Sequence, residues 1–105
     1  MDTKELVWLG NSLKDLKSMP LEVRKNAGYQ LSRVQSDLAP IDWKPMSSVG
    51  LGVREIRIKH KGQYRVIYVT SKNNKVYVLH SFIKKTQKTS KQDIDISKER
   101  FKLMR

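Results

Sequence analysis

"VREIRIKHKGQYRVIYVTSKNNKVYVLHSFI", Val53 to Ile83, is the stretch that decides the fold. Its first segment, "VREIRIKH", alternates Glu55, Arg57 and Lys59 with Ile56 and Ile58. A period of two belongs to a half-buried strand, because successive side chains leave a pleated backbone on opposite faces. "KG" turns the chain and "QYRVIYV" runs back along it. "SKNNK" is a second hairpin turn, since asparagine tolerates positive φ. "KVYVLHSFI" completes the set and is apolar on both faces, as a central strand is.

The flanks read differently. "APIDWKPMSSVGLG" carries two prolines and two glycines and reads as a connection. Before it, Leu21, Ala27, Leu31, Val34 and Leu38 fall on one face of a helix, with Ser18 as its N-cap and Pro20 in its first turn. A shorter helix, capped by Asn11 or Ser12, carries Leu13 and Leu16, and "KELVWL" (residues 4–9) reads as a first strand with Leu6 and Trp8 on one side. Downstream, Ser90 to Asp93 has the spacing of a capping box, and Ile94, Phe101 and Met104 form the stripe of a last helix. The expected order is β-α-α-β-β-β-α in one domain, residues 1–105. That is an α+β fold: an antiparallel-rich twisted sheet of about four strands, an N-terminal helical hairpin on one face and a C-terminal helix. The face opposite the helices is expected to meet solvent or a ligand.

Composition narrows the function. The chain holds 22 Lys and Arg against 10 Asp and Glu, a formal charge of +12. Seven basic and six acidic residues lie in positions 1–50, fifteen and four in positions 51–105. A basic half of this kind points to a polyanion: nucleic acid by default, with an acidic protein or an anionic membrane as alternatives. The chain has no cysteine, which removes disulfides, thiolate ligands and thiol nucleophiles and suits the cytoplasm. The first residues show no basic region followed by a long apolar stretch, so no secretory signal and no membrane span are expected.

If Ile56 and Ile58 pack on the helices, Arg57 and Lys59 stand on the opposite face. Arg65 shares a side with Ile67 and Val69 and comes beside them if the hairpin register holds. Lys84 and Lys85 emerge where the last strand ends. By the pleat these five cations are expected to converge on one concave surface, and as a set they favour a polyanion-binding face, since Glu55 is the only acid between Arg54 and Lys91. For any single one of them, an ordinary solvated strand face or edge protection is an equal reading. Tyr64, Tyr68, Tyr77 and Phe82 interleave with the cations; at least two belong to the core, and Phe82, beside Lys84, is the one expected to reach a ligand. Trp8 and Trp43 are read as packing residues. His60 and His80 have no metal-ligand spacing, so no metal or cofactor is expected. His60 falls in a turn, while His80 is a candidate proton carrier or a structural histidine.

The stretches "LVWLGNSLKDLKSMPLEVRKNAGYQL", "GVREIRIKHKGQYRVIYV" and "VYVLHSFIKKTQKTSKQDI" together resemble the RelE/ParE superfamily of bacterial toxins, in its HigB-like, phage-related branch. Ser90 departs from the pattern, which has proline there. The resemblance implies a toxin of a type II toxin–antitoxin system, an endoribonuclease that cleaves mRNA in the A site of the 70S ribosome. It implies a cognate helix-turn-helix antitoxin as partner. The family's functional cations fall on Arg57, Lys59, Arg65, Lys84 and Lys85. Together with the reading of the residues, Arg57, Arg65, Lys84 and Lys85 are expected to act in catalysis, with His80 a further candidate, and Lys59, Phe82, Lys88 and Lys91 to bind RNA. The base and the acid stay open between a lysine and His80, arginine being permanently protonated. ParE-like members of the superfamily inhibit DNA gyrase instead, and a nucleic-acid-binding domain without chemistry has the same composition.

Overall fold

The computed structural model describes residues 3–104, so Met1, Asp2 and Arg105 of the expected 1–105 domain lie outside it. The elements are β1 (Glu5–Trp8), α1 (Ser12–Lys17), α2 (Leu21–Gln35), β2 (Trp43–Pro45), β3 (Arg54–Lys59), β4 (Gln63–Thr70), β5 (Lys75–Lys84) and α3 (Lys91–Lys102). They form one five-stranded sheet in the order β1-β5-β4-β3-β2. The α+β class and the packing of the two N-terminal helices on one face agree with the sequence. The fifth strand, β2, lies inside the stretch read as a connection. It is three residues long and pairs Trp43, Lys44 and Pro45 with Ile56, Glu55 and Arg54. Its proline is tolerated because it sits on the sheet edge.

The two hairpins form where the turn chemistry puts them. Lys61 and Gly62 take positive φ between β3 and β4, and Asn74 does so between β4 and β5. β1 joins the sheet by pairing parallel to β5, from Glu5 against Lys75 to Trp8 against Val78. α1 and α2 then pack on one face over Ile56, Ile58, Tyr64, Val66, Tyr68, Val76 and Val78. Of the residues read as the helix stripe, Ala27, Leu31 and Val34 are buried there together with Val23, whereas Leu21 and Leu38 are each 52 % exposed. Leu38 lies beyond the helix end, and Leu21 begins it on the outer side. Pro20 takes the N-cap position of α2, and Ser18 instead closes α1. Ser12 Oγ donates to the Val78 carbonyl, fastening α1 to β5.

The second face is not left open as expected. Val53, Ile67, Val69, Tyr77, Leu79 and Phe82 form a second core there, under Met46 and Val49 of the β2–β3 loop and under Ile94, Phe101 and Met104 of α3. Ser90 Oγ accepts from the Asp93 backbone N–H and caps α3 as the sequence spacing predicts. Gly50 marks how tightly that helix docks: a Cβ built there would lie 2.5 Å from the Phe101 ring.

One irregularity governs everything that follows. Ile67 pairs with His80 but Tyr68 pairs with Val78, so Leu79 is the extra residue of a β-bulge. Val76 and Val78 face α1 and α2. Strict alternation would send His80, Phe82 and Lys84 to that side as well. The bulge reverses the parity, and those three join Arg65 and Ile67 on the second face.

Candidate functional site

Three rows of side chains cross the second face. Lys44, Glu55, Ile67 and His80 are successive cross-strand neighbours in the first. Arg57, Arg65 and Phe82 form the second, and Lys59, Gln63 and Lys84 the third. Two arginines directly opposite each other repel, so a structure that places them there needs a counter-charge.

Glu55 supplies it. Its carboxylate is fully buried, 3.5 Å from Arg65 Nε and 3.7 Å from Lys44 Nζ. It also accepts a 2.7 Å hydrogen bond from Thr89 Oγ1, which pins the 85–90 loop over it. Arg65 is nearly as enclosed, its side chain 6 % exposed. Its Nη1 donates to the Tyr64 carbonyl at 2.9 Å, and both terminal nitrogens reach Gln63 Oε1 at 3.3 Å. Burial pushes the Arg65 guanidinium below the usual arginine range and Arg57 adds to this, while Glu55 and Asp42 oppose it. It remains a cation at neutral pH. Arg57 is half-exposed and held by Asp42, with Nη2 at 2.7 Å and Nε at 2.9 Å from Oδ1.

Lys84 completes the cluster. Loss of solvent lowers its pKa first, then the nearby cations Arg65, Lys44 and Arg57, against the attraction of Glu55. Four cations therefore stand within electrostatic reach of one another around one buried carboxylate: Lys44, Arg57, Arg65 and Lys84. Lys44 was not among the residues singled out from the sequence. It lay in a segment read as loop, and only its pairing with Glu55 brings it here.

The remaining candidates divide. Lys59 is exposed at the end of β3, in register with Gln63 and Lys84. Lys85 is exposed and lines a recess beside α1 with Asp15, Ser18, Met19 and Pro20. It does not join the row with Arg65, because it falls one residue beyond the strand. Lys88 is exposed in the loop, and Lys91 pairs with Asp95 on the outer side of α3. Phe82, expected to reach a ligand, is 7 % exposed and stacks on His80 with ring centroids 4.7 Å apart. Tyr64, Tyr68 and Tyr77 are buried too. The convergence is thus real for Arg57, Arg65 and Lys84, but the surface is closed rather than concave, the Arg65 side chain being 6 % exposed.

His80 is 5 % exposed and its Nε2 lies 2.8 Å from Asp93 Oδ1. Burial lowers its pKa, outweighing the opposing pull of Asp93. The neutral ring therefore donates Nε2–H to the carboxylate and ties β5 to α3, leaving Nδ1 buried without a partner. This geometry is that of a structural histidine, the second of the two readings of the sequence.

No helix of the described residues is long and apolar enough to cross a membrane. No curated protein matches the chain. The sequence model of the Gp49-like phage-derived proteins matches residues 14–102, from the first helix to the last and across every residue of the cation cluster. On that match the chain belongs to the Gp49-like family of phage-derived proteins.

Proposed function

We propose that this protein is the toxin of a type II toxin–antitoxin system and a ribosome-dependent mRNA endonuclease of the RelE-like, HigB-like kind. Membership in the Gp49-like family is consistent with a toxin of this class. The observation that carries the nuclease reading is the cross-strand pair Arg57–Arg65 beside Lys84, organised by the buried Glu55. Surfaces that need only solubility do not bury an arginine on a carboxylate and set two further cations around it.

The reaction is attack of an RNA 2′-OH on the adjacent phosphorus. The P–O5′ bond breaks, the 2′ proton passes to a base, and the departing 5′ oxygen takes a proton from an acid; the products are a 2′,3′-cyclic phosphate and a 5′-OH. Arg65 is the group for the non-bridging oxygens, where charge builds in the transition state. To reach it, the phosphate replaces Gln63 Oε1 on the terminal guanidinium nitrogens. Arg57 assists once its hold on Asp42 is shared. Lys84, the lysine with the lowered pKa, is the better placed of the two lysines to move a proton. The antitoxin partner is a small helix-turn-helix protein, and the site of action is the cytoplasm.

The test is cleavage on translating ribosomes by the folded protein and its Arg65→Ala variant. The expected loss is about 10²–10³-fold, as for removal of one transition-state donor. Undiminished cleavage by the variant removes Arg65 from the mechanism. Double-strand DNA breaks in place of cuts within translated codons would instead identify a gyrase inhibitor.

A further inference from the structure

A cavity of about 570 Å³ lies not over the cation cluster but around the corner from it. β2 pairs with β3 only from Arg54 to Ile56, so the outer edge of β3 is free of a partner strand from Arg57 onward. Arg57 N–H is satisfied there by the Asp42 carbonyl. The cavity opens at this edge, between β3 and α2, and Arg57 and Lys59 line it from the sheet side. From the α2 side come Lys25, Asn26 and Tyr29.

Tyr29 is the unusual member. It is the one aromatic residue of α2 and is 58 % exposed, and Ile41, 63 % exposed, stands at the same opening. An exposed ring and an exposed aliphatic side chain lining one groove suit a flat, partly apolar ligand. The charge is nearly balanced, because Glu22 and Asp42 offset two of the three cations. A groove of this kind is poor for a phosphate and good for a base. Gln30 donates to Asn26 Oδ1 and fixes that amide, leaving the Asn26 amide donors uncommitted at the wall.

From these features we infer that the α2–β3 groove is a nucleobase subsite, continuous through Arg57 with the phosphate-binding cluster, in which Tyr29 stacks on a base of single-stranded RNA. The inference rests on the RNA-directed reading of the cation cluster and adds a second contact to it. The strand runs from Arg65 and Lys84, over Arg57 and Lys59, around the free edge of β3 to Tyr29. A path bending around a sheet edge needs an unpaired, flexible chain, which excludes duplex RNA.

The experiment is fluorescence anisotropy with a labelled hexaribonucleotide at low ionic strength, comparing the unaltered protein with Tyr29→Ala, Tyr29→Phe and Arg65→Ala. Loss of one stacked base is expected to weaken binding about tenfold in Tyr29→Ala. Tyr29→Phe keeps the ring and stays within about twofold by the same argument. The dependence on salt is unchanged in Tyr29→Ala, since no phosphate contact is lost, and is shallower in Arg65→Ala. Binding by Tyr29→Ala equal to that of the unaltered protein, with Arg65→Ala impaired, overturns the subsite and leaves the functional reading standing. Failure of the unaltered protein to bind the oligonucleotide overturns the subsite, whereas the functional reading stands or falls on cleavage of mRNA on translating ribosomes.

Discussion

Removing the charge of Glu55 while keeping its shape, by Glu55→Gln, isolates the term that holds the cluster together. In the folded protein the carboxylate is fully buried, 3.5 Å from Arg65 Nε. At that distance and an effective dielectric near 20, the attraction is on the order of 5 kcal/mol. The cost of desolvating both groups has already been met in the native state, so neutralising one leaves the other buried and unpaired. Breaking such a pair costs about 3–5 kcal/mol. Lys44 adds less, being half-exposed at 3.7 Å. The Thr89 hydrogen bond survives, because the glutamine carbonyl still accepts it. Out of a total stability of about 5–15 kcal/mol for a domain of this size, the loss is severe.

Urea denaturation measures it. The midpoint of Glu55→Gln should fall with the slope unchanged. Adding Arg65→Met, which removes the stranded cation, should recover about 2–3 kcal/mol of the loss. Two results would refute the reasoning: a Glu55→Gln protein within about 1 kcal/mol of the unaltered one, or a double variant weakened by the sum of its parts. Either would mean that Arg65 is placed by its bonds to Tyr64 and Gln63 and not by the buried acid.

Two further expectations concern protons. If Lys84 moves the proton, cleavage rises with pH through a pKa below that of a free lysine. Lys84→Arg, which keeps the charge but cannot ionise, should then flatten that limb and slow the reaction by about 10²-fold or more. Full activity in Lys84→Arg would leave Lys84 only an electrostatic part. His80 affects folding instead. Its folded pKa is lowered by burial against Asp93 and Asp15, with Arg100 adding to the lowering, so the unfolded chain binds the proton more tightly. Its contribution to stability is complete above the unfolded value of about 6.5 and is lost as pH falls from there toward the folded value. Denaturation from pH 8 to 5 should show this slope in the unaltered protein and less of it in His80→Gln; equal slopes would refute it.

Local chemistry fixed a great deal of this molecule in advance. Alternation placed Glu55, Arg57 and Lys59 on one side of β3 and the isoleucines on the other, and glycine and asparagine set both hairpin turns. Ser90 capped α3 at the spacing it announced. These signals act between residues a few positions apart, where backbone geometry alone decides. The meeting of Arg57 with Arg65 followed from the same hairpin register.

What the sequence could not carry are relations between distant segments. β2 is too short and too rich in breakers to signal itself, yet it delivers Lys44 to Glu55. Glu55 reads as one more solvated charge until the loop carrying Thr89 and the second core close over it. Leu79 looks like any apolar strand residue, yet as the bulge it turns Lys84 toward Arg65 and buries His80 and Phe82. A pleat has a parity of two, so one inserted residue reassigns every side chain beyond it. That insertion is decided by how β4 and β5 pair across the whole sheet, which no local pattern records.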